Sequence, residues 1–104
     1  MRTLHDFEGL AIRLTEERLT HILEHPEMAG MEESIERTLA APEQVVQSFS
    51  DPEARLYYRF YFGTIVGDKY LCVVVKVTAT DAFVLTAYLT DRIKKGVLVW
   101  PKEK

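Results

Sequence analysis

Three runs of apolar, β-branched and aromatic residues, separated by very short connections, constrain the fold more than any other feature. The runs cover residues 56–62, 70–77 and 83–90, and residues of these types are typical of β-strands. The connections between them are too short for a crossover helix, so neighbouring strands must be antiparallel. Residues 10–14 have the alternation of a short strand or an extended lead-in, residues 45–46 can begin a short strand, and residues 97–100 can add a last one. We therefore predict an antiparallel sheet of about four strands.

The first half of the chain shows helical patterns instead. Thr15 has the character of a helix N-cap, and the helix that it begins should end at Glu24 or His25, because Pro26 disfavours helical geometry in the preceding residue. A second helix is predicted at residues 31–39, where apolar residues recur every three or four positions. The expected architecture is an α+β domain with two N-terminal helices packed on one face of the sheet.

The composition is that of one folded domain covering residues 1–104. Of its residues, 47% are hydrophobic and 28% are charged, which excludes a disordered tail or a disulfide scaffold. The single cysteine, Cys72, has no internal disulfide partner. No apolar run approaches the ~20 residues that a bilayer-spanning helix needs. We therefore expect a soluble, cytoplasmic protein that does not interact with membranes.

Side chains alternate between the two faces of a strand, so each run divides into two sets. The set without charge is predicted to pack against the helices: Leu56, Tyr58, Phe60, Phe62, Leu71, Val73, Val75, Val77, Phe83, Leu85, Ala87 and Leu89. The other set is predicted to form an open face: Tyr57, Arg59, Tyr61, Tyr70, Cys72, Val74, Lys76, Val84, Thr86, Tyr88 and Thr90. This assignment decides which functional groups share a surface.

The predicted open face carries two cations, four tyrosines and two threonines, and Arg92, Lys94 and Lys95 follow it in the sequence. Such a surface can hold phosphates electrostatically and stack bases on aromatic rings. In this interpretation Tyr57, Tyr61, Arg92 and Lys94 bind the substrate. The same residue types are ordinary on the solvent face of a sheet, so a plain solvated surface is the alternative.

Charge is distributed unevenly along the chain. Residues 1–52 carry 4 Lys and Arg against 11 Asp and Glu, whereas residues 53–104 carry 9 against 5. The net charge of −3 argues against non-specific nucleic-acid binding, which depends on phosphate neutralisation. It leaves room for a local basic site in the second half.

His21 and His25 are four residues apart, so they share a helix face if the helix extends that far. One imidazole can act as a general acid or base near neutral pH. Alternatively, His21, Glu24 and His25 form the string His-x-x-Glu-His of inverted zinc peptidases, although Pro26 interrupts the helix that such a site needs. A third interpretation is that both histidines are polar residues at a helix end.

The order of several short segments resembles the phage-derived branch of the barnase/EndoU/colicin/RelE-like nuclease superfamily. The segments are 14–21 (LTEERLTH), 25–28 (HPEM), 35–42 (IERTLAAP), 56–59 (LYYR), 73–76 (VVVK) and 86–90 (TAYLT). The resemblance implies two helices behind a curved antiparallel sheet and metal-independent RNA cleavage on the open face of that sheet. The matching positions are His21, His25, Arg59, Lys76, Thr86 and Tyr88.

We therefore expect a toxin-like ribonuclease without cofactor or metal, in which the 2′-hydroxyl of RNA attacks the adjacent phosphate. Arg59 and Lys76 would clamp the phosphate, His25 or, failing it, His21 would transfer protons, and Thr86 and Tyr88 would orient the RNA. The alternative is a non-catalytic interaction module. Its tyrosine-rich sheet face or acidic helices would bind an antitoxin-like protein or a second copy of the chain.

Overall fold

The chain forms an α+β fold of two α-helices and a seven-stranded, mostly antiparallel sheet. The structure, a computed structural model, describes residues 1–102. The strands are β1 (Arg2–His5), β2 (Ala11–Leu14), β3 (Gln44–Ser48), β4 (Ala54–Thr64), β5 (Gly67–Val77), β6 (Ala82–Thr90) and β7 (Gly96–Trp100). The helices are α1 (Glu16–Leu23) and α2 (Glu32–Ala40), and a 3₁₀ turn at Pro26–Met28 lies between them.

The strand order in the sheet is β1-β2-β6-β5-β4-β3-β7. β4, β5 and β6 are antiparallel neighbours, as the short connections predict. β2 and β6 are parallel and pair at Arg13 and Phe83. The predicted number of about four strands is too low. β1 is missed because only Leu4 of its four residues is buried, so its apolar alternation is not visible in the sequence.

Both helices begin and end close to the predicted residues. The Oγ1 atom of Thr15 accepts a hydrogen bond from the Arg18 amide at 3.1 Å, and α1 ends at Leu23, ahead of Pro26. Two strands precede α1, so the helices do not form the N-terminal part of the fold. Among the described residues, no helix has the length and apolar character required to cross a membrane.

One face of the sheet packs against both helices, and we call it the helix face. Its core contains Ile22 from α1, Ile35 and Leu39 from α2, and Val73 and Val75 from β5, all of them buried. Each such side chain contributes about 1.5–3 kcal/mol when it is fully buried. The predicted alternation of β5 is confirmed by these contacts.

The connection between β6 and β7 crosses the other face of the sheet, which we call the crossover face. The crossover segment, residues 91–95, joins two strands that three other strands separate. A second buried cluster lies on this face and consists of Val46, Leu56, Tyr58 and Cys72. Ile93 packs against it, and the Lys94 amide donates to the Tyr58 hydroxyl at 3.1 Å. The crossover segment therefore covers part of this face.

The two outer strands of the sheet approach each other. Phe7 follows β1 at one end of the strand order, and Trp100 belongs to β7 at the other end. Their ring centroids are 5.0 Å apart. The sheet therefore curves strongly, and β1, β7 and the helices close around the core of the helix face.

β4 presents the opposite side chains to the helices from those predicted. Tyr57 pairs with Val73, and Tyr58 pairs with Cys72, so Tyr57 belongs to the helix face and Tyr58 to the crossover face. Both faces of β4 carry large apolar groups because both are covered, one by the helices and one by the crossover segment. The alternation of this strand therefore does not distinguish its two faces.

The predicted alternation of β6 is right at its end and wrong at its start. Ala87 pairs with Val73 on the helix face, as predicted. Closer to the start of the strand, the register shifts at Leu85. Val84 is therefore buried on the helix face, although the predicted alternation places it on the open face. One extra residue in a bulge exchanges the two faces of a strand.

Candidate functional site

The two cations predicted to clamp one phosphate lie on opposite faces of the sheet. Arg59 pairs with Leu71 on the helix face and donates from Nη1 to the carbonyl oxygen of Ala41 at 2.7 Å. Lys76 lies on the crossover face, where its Nζ donates to Asp51 Oδ2 at 2.6 Å. The prediction that these cations share a face is wrong. β5 presents the predicted side chains to the helices, whereas β4 presents the opposite set, which includes Arg59.

Two carboxylates lie next to the ammonium group of Lys76. Glu53 Oε1 lies 3.5 Å from its Nζ, in addition to the hydrogen bond with Asp51. The hydrogen bond with Asp51 raises the pKa of Lys76 and lowers the pKa of Asp51. The ammonium group is therefore committed to neighbouring acids rather than to a ligand.

Two of the tyrosines predicted to stack on RNA bases lie under the helices. Tyr57 is fully buried, and its hydroxyl donates to Asp6 Oδ2 at 2.7 Å. Burial, and then the hydrogen bond and charge of Asp6, raise the pKa of Tyr57. The Tyr61 hydroxyl lies 3.0 Å from the Ser34 carbonyl oxygen and 3.0 Å from Thr38 Oγ1. The predicted exposure of Tyr57 and Tyr61 on an open face is therefore wrong.

Tyr88 does belong to the crossover face, as predicted, but it is partly covered. It pairs with Cys72 across the strands and packs against the second cluster. Burial raises the pKa of the Cys72 thiol to about 11, although hydrogen bonds from Tyr88 and Tyr58 oppose that shift. Cys72 is therefore a buried apolar residue of this cluster and lacks the lowered pKa of a nucleophile.

Arg92 and Lys94, the other predicted substrate-binding residues, are exposed in the crossover segment. They are on the opposite side of the sheet from α1, which carries His21. The six predicted catalytic residues therefore do not form one constellation. The structure divides them between the helix face, the crossover face and a groove beside α1.

That groove brings together three of the predicted residues, His21, His25 and Thr86. We call it the histidine groove. It has a volume of about 240 Å³ and is lined by Glu17, Arg18, His21, Ile22, His25 and Thr86. Ligand pockets for drug-sized molecules span about 300–1,000 Å³, so this groove has room for a small group such as a phosphate.

Three local features position the residues of the histidine groove. The Thr15 cap fixes the start of α1, so that Arg18 and His21 project from successive turns. His25 lies beyond the helix in extended geometry, because Pro26 begins the 3₁₀ turn. Thr86 follows the bulge in β6, the strand against which α1 packs. His25 therefore reaches the groove through the bend after α1 rather than through helical spacing.

The groove combines groups of both charges. Arg18 supplies a guanidinium, Glu17 supplies a carboxylate, and Glu24 Oε1 lies 3.9 Å from His21 Nδ1. A neutral imidazole accepts a proton and an imidazolium donates one, so two imidazoles in one groove can perform both transfers. His21 and His25 are exposed, which leaves their nitrogen atoms accessible to a ligand.

Sequence reasoning missed Glu17 and Arg18 as groove residues. The signal was available, because both residues precede His21 by three or four positions and therefore share its side of α1. The zinc alternative receives no support from geometry. Within residues 1–102, no group of three His, Cys, Asp or Glu side chains is arranged to hold a metal ion, and that includes His21, Glu24 and His25.

No protein-family model, curated protein or solved structure matches this chain. The resemblance to the nuclease superfamily therefore stays a prediction.

Proposed function

We propose that this protein is a metal-independent ribonuclease whose site is the histidine groove. The observation that supports the proposal is the convergence of two imidazoles, a guanidinium and a hydroxyl in one groove of phosphate size. Cleavage of RNA by its own 2′-hydroxyl needs a base, an acid and a cation near one phosphate. His25, His21 and Arg18 supply these three functions.

In the proposed reaction, His25 accepts the proton of the 2′-hydroxyl while the 2′-oxygen forms a bond to phosphorus. The bond between phosphorus and the 5′-oxygen breaks, and His21, which lies near the Glu24 carboxylate, gives its proton to that oxygen. Arg18 stabilises the negative charge that develops on the phosphate oxygens, and the Thr86 hydroxyl donates a hydrogen bond to one of these oxygens. The products are a 2′,3′-cyclic phosphate and a free 5′-hydroxyl.

Replacing either histidine with alanine is expected to slow RNA cleavage by at least about 100-fold, which is the usual contribution of one general acid or base. The substrate is a labelled DNA oligonucleotide that contains a single ribonucleotide, and the cyclic phosphate product is measured. His21→Ala and His25→Ala are compared with His5→Ala, because His5 is the third histidine, lies in β1 and does not line the groove.

The controls separate this chemistry from contamination and from metal catalysis. We expect His5→Ala to cleave at the wild-type rate, EDTA to have no effect, and the all-deoxy oligonucleotide to remain intact. Cleavage at an unchanged rate by the double variant His21→Ala/His25→Ala would contradict the proposal. So would an inactive wild-type protein, or cleavage of the all-deoxy substrate.

A second candidate function, self-association, is favoured by an aromatic patch on the β4–β5 hairpin. Phe60 lies 5.1 Å from Phe62 and 4.9 Å from Tyr70 between ring centroids, and Phe62 is 81% exposed. Ile65 and Val66 at the hairpin tip are also exposed. Exposed apolar patches of this kind are typical of interaction surfaces, and this one is proposed to pack against the same patch of a second copy.

Sedimentation at several protein concentrations tests the second candidate. We expect a monomer–dimer equilibrium for the wild type and a shift to monomer for Phe62→Asp, since a carboxylate would be buried in the interface. Phe49→Asp is a suitable control, because Phe49 is similarly exposed but lies outside the hairpin. A wild-type protein that stays monomeric at every concentration would exclude self-association.

A further inference from the structure

A groove on the crossover face, above the paired strands β3 and β7, is used by none of the functions above. We call it the β7 groove. It has a volume of about 470 Å³ and is lined by Gln44, Val46, Phe49, Ile93, Lys94, Lys95, Gly96 and Leu98. Its apolar part comes from Val46, Phe49, Ile93 and Leu98, and Lys94 and Lys95 form one side of it.

β7 occupies the end of the strand order, so β3 pairs with one of its edges only. An outer strand presents a row of backbone N–H and C=O groups to solvent, and it is a template for an added strand. Two of its side chains are unusually apolar for such a position: Val97 is 51% exposed and Leu98 is 37% exposed. Trp100, at the far end of the strand, packs against Phe7 instead. The edge therefore offers both backbone hydrogen bonds and apolar contacts.

Two lysines beside this edge have no carboxylate partner within residues 1–102. The lysines of that range that form ion pairs are Lys69 and Lys76, whereas Lys94 and Lys95 have no carboxylate oxygen of the range within 4.0 Å. Both are exposed. They therefore leave a positive charge next to an apolar groove, which suits a ligand that combines apolar side chains with carboxylates.

The positions of the charges also argue against a second copy of the chain as the occupant. Lys95 immediately precedes β7, and Lys102 follows it. In a symmetric antiparallel pair of β7 strands centred on Leu98, Lys94 of one copy would face Lys102 of the other, and like charges opposite each other are destabilising. An acidic partner would meet an attractive charge at both ends instead.

We propose that β7 binds an extended acidic–apolar segment of a partner protein by strand addition. Apolar side chains of that segment enter the β7 groove, its backbone pairs with the outer edge of β7, and its carboxylates contact Lys94 and Lys95. The mostly aliphatic lining, with Phe49 as its one aromatic side chain, favours a peptide over RNA, which prefers several aromatic platforms and phosphate contacts along a basic track. The inference is independent of the ribonuclease proposal because it uses no residue of the histidine groove.

The test uses fluorescence anisotropy with a labelled peptide that alternates valine and threonine over seven residues and carries two aspartates at each end. We expect this peptide to bind the full-length protein. The same peptide with lysines in place of the aspartates, and a version N-methylated at alternate residues, are expected to bind at least about tenfold more weakly, because they lose the charge attraction and the backbone hydrogen bonds respectively.

Lys95→Glu is expected to weaken binding of the acidic peptide about tenfold at low salt, and this effect should diminish as salt is added. Arg37→Glu makes the same charge change on the exposed surface of α2 and is expected to leave binding unchanged. Both positions are exposed, so circular dichroism should show the same fold and thermal midpoint for the two variants.

Three results would overturn the inference. The first is that the acidic peptide does not bind, and the second is equal binding of the N-methylated or lysine-flanked peptide. The third is that a single-stranded RNA oligonucleotide competes with the peptide and loses its own affinity in Lys95→Glu. That last result would assign the β7 groove to nucleic acid instead.

Discussion

Replacing Asp6 with alanine is expected to lower the free energy of unfolding by about 3–5 kcal/mol. The Asp6 carboxylate is only 5% exposed. Its Oδ1 accepts from the amides of Glu8 and Leu10, each at 2.9 Å, and its Oδ2 accepts from the Tyr57 hydroxyl at 2.7 Å. Alanine removes both acceptor oxygens and with them all three hydrogen bonds, and it leaves the hydroxyl of a fully buried tyrosine without its partner.

Two further variants show which of these contacts matters. Asp6→Asn keeps an acceptor oxygen for the turn amides and can donate to the Tyr57 hydroxyl, so we expect a loss of about 1–2 kcal/mol. Tyr57→Phe removes the hydroxyl alone and should cost about 1.5–3 kcal/mol. Urea denaturation of the three variants, together with the double variant Asp6→Ala/Tyr57→Phe, gives the coupling energy. Additive effects of the two single changes would contradict a direct interaction.

Gly96→Ala is expected to destabilise the protein by about 3 kcal/mol. A Cβ atom at this position would overlap with the carbonyl oxygen of Gln47 and with the Cγ1 atom of Val46. The carbonyl oxygen belongs to the backbone of β3, so it cannot move aside as a side chain can. We therefore expect the start of β7 to separate from β3.

Hydrogen exchange locates the change that denaturation measures. Amides of β3 and β7 in Gly96→Ala should lose protection, while those of β5 keep it, since β5 lies in the centre of the sheet. Val97→Ala is the matched control, because Val97 is the adjacent residue and is half exposed; its effect should stay within about 0.5 kcal/mol. Unchanged protection of β7 in Gly96→Ala would contradict this account of the glycine.

Local signals in the sequence predict much of the fold. The Thr15 cap and the effect of Pro26 define α1 correctly, and the short connections define the antiparallel order of β4, β5 and β6. These predictions succeed because they depend on backbone geometry within a few residues. The strand order does not follow from such signals, since it depends on where residues 91–95 carry the chain.

The candidate site is even less predictable from local signals than the strand order. The alternation of β4 depends on which face of the strand is covered, and the crossover segment covers the face that was expected to be open. Arg59 and Lys76 were therefore predicted to be neighbours although the sheet separates them. His21 and His25 do line one groove, but His25 reaches it through the bend before Pro26, which the sequence marks only as a helix end.

The same connection between β6 and β7 bears on the order of folding. Val46 of β3 pairs with Leu98 of β7, and Arg13 of β2 pairs with Phe83 of β6. Each of these strand pairings has to close a long loop of chain before its contacts stabilise the fold. Contacts between such distant parts of a chain slow folding relative to local ones. On the ribosome, β3 must wait with an unpaired edge until residues 96–100 have been synthesised. During that interval Val46 and Leu56 lack their cover, and the nascent chain is open to mispairing with other chains.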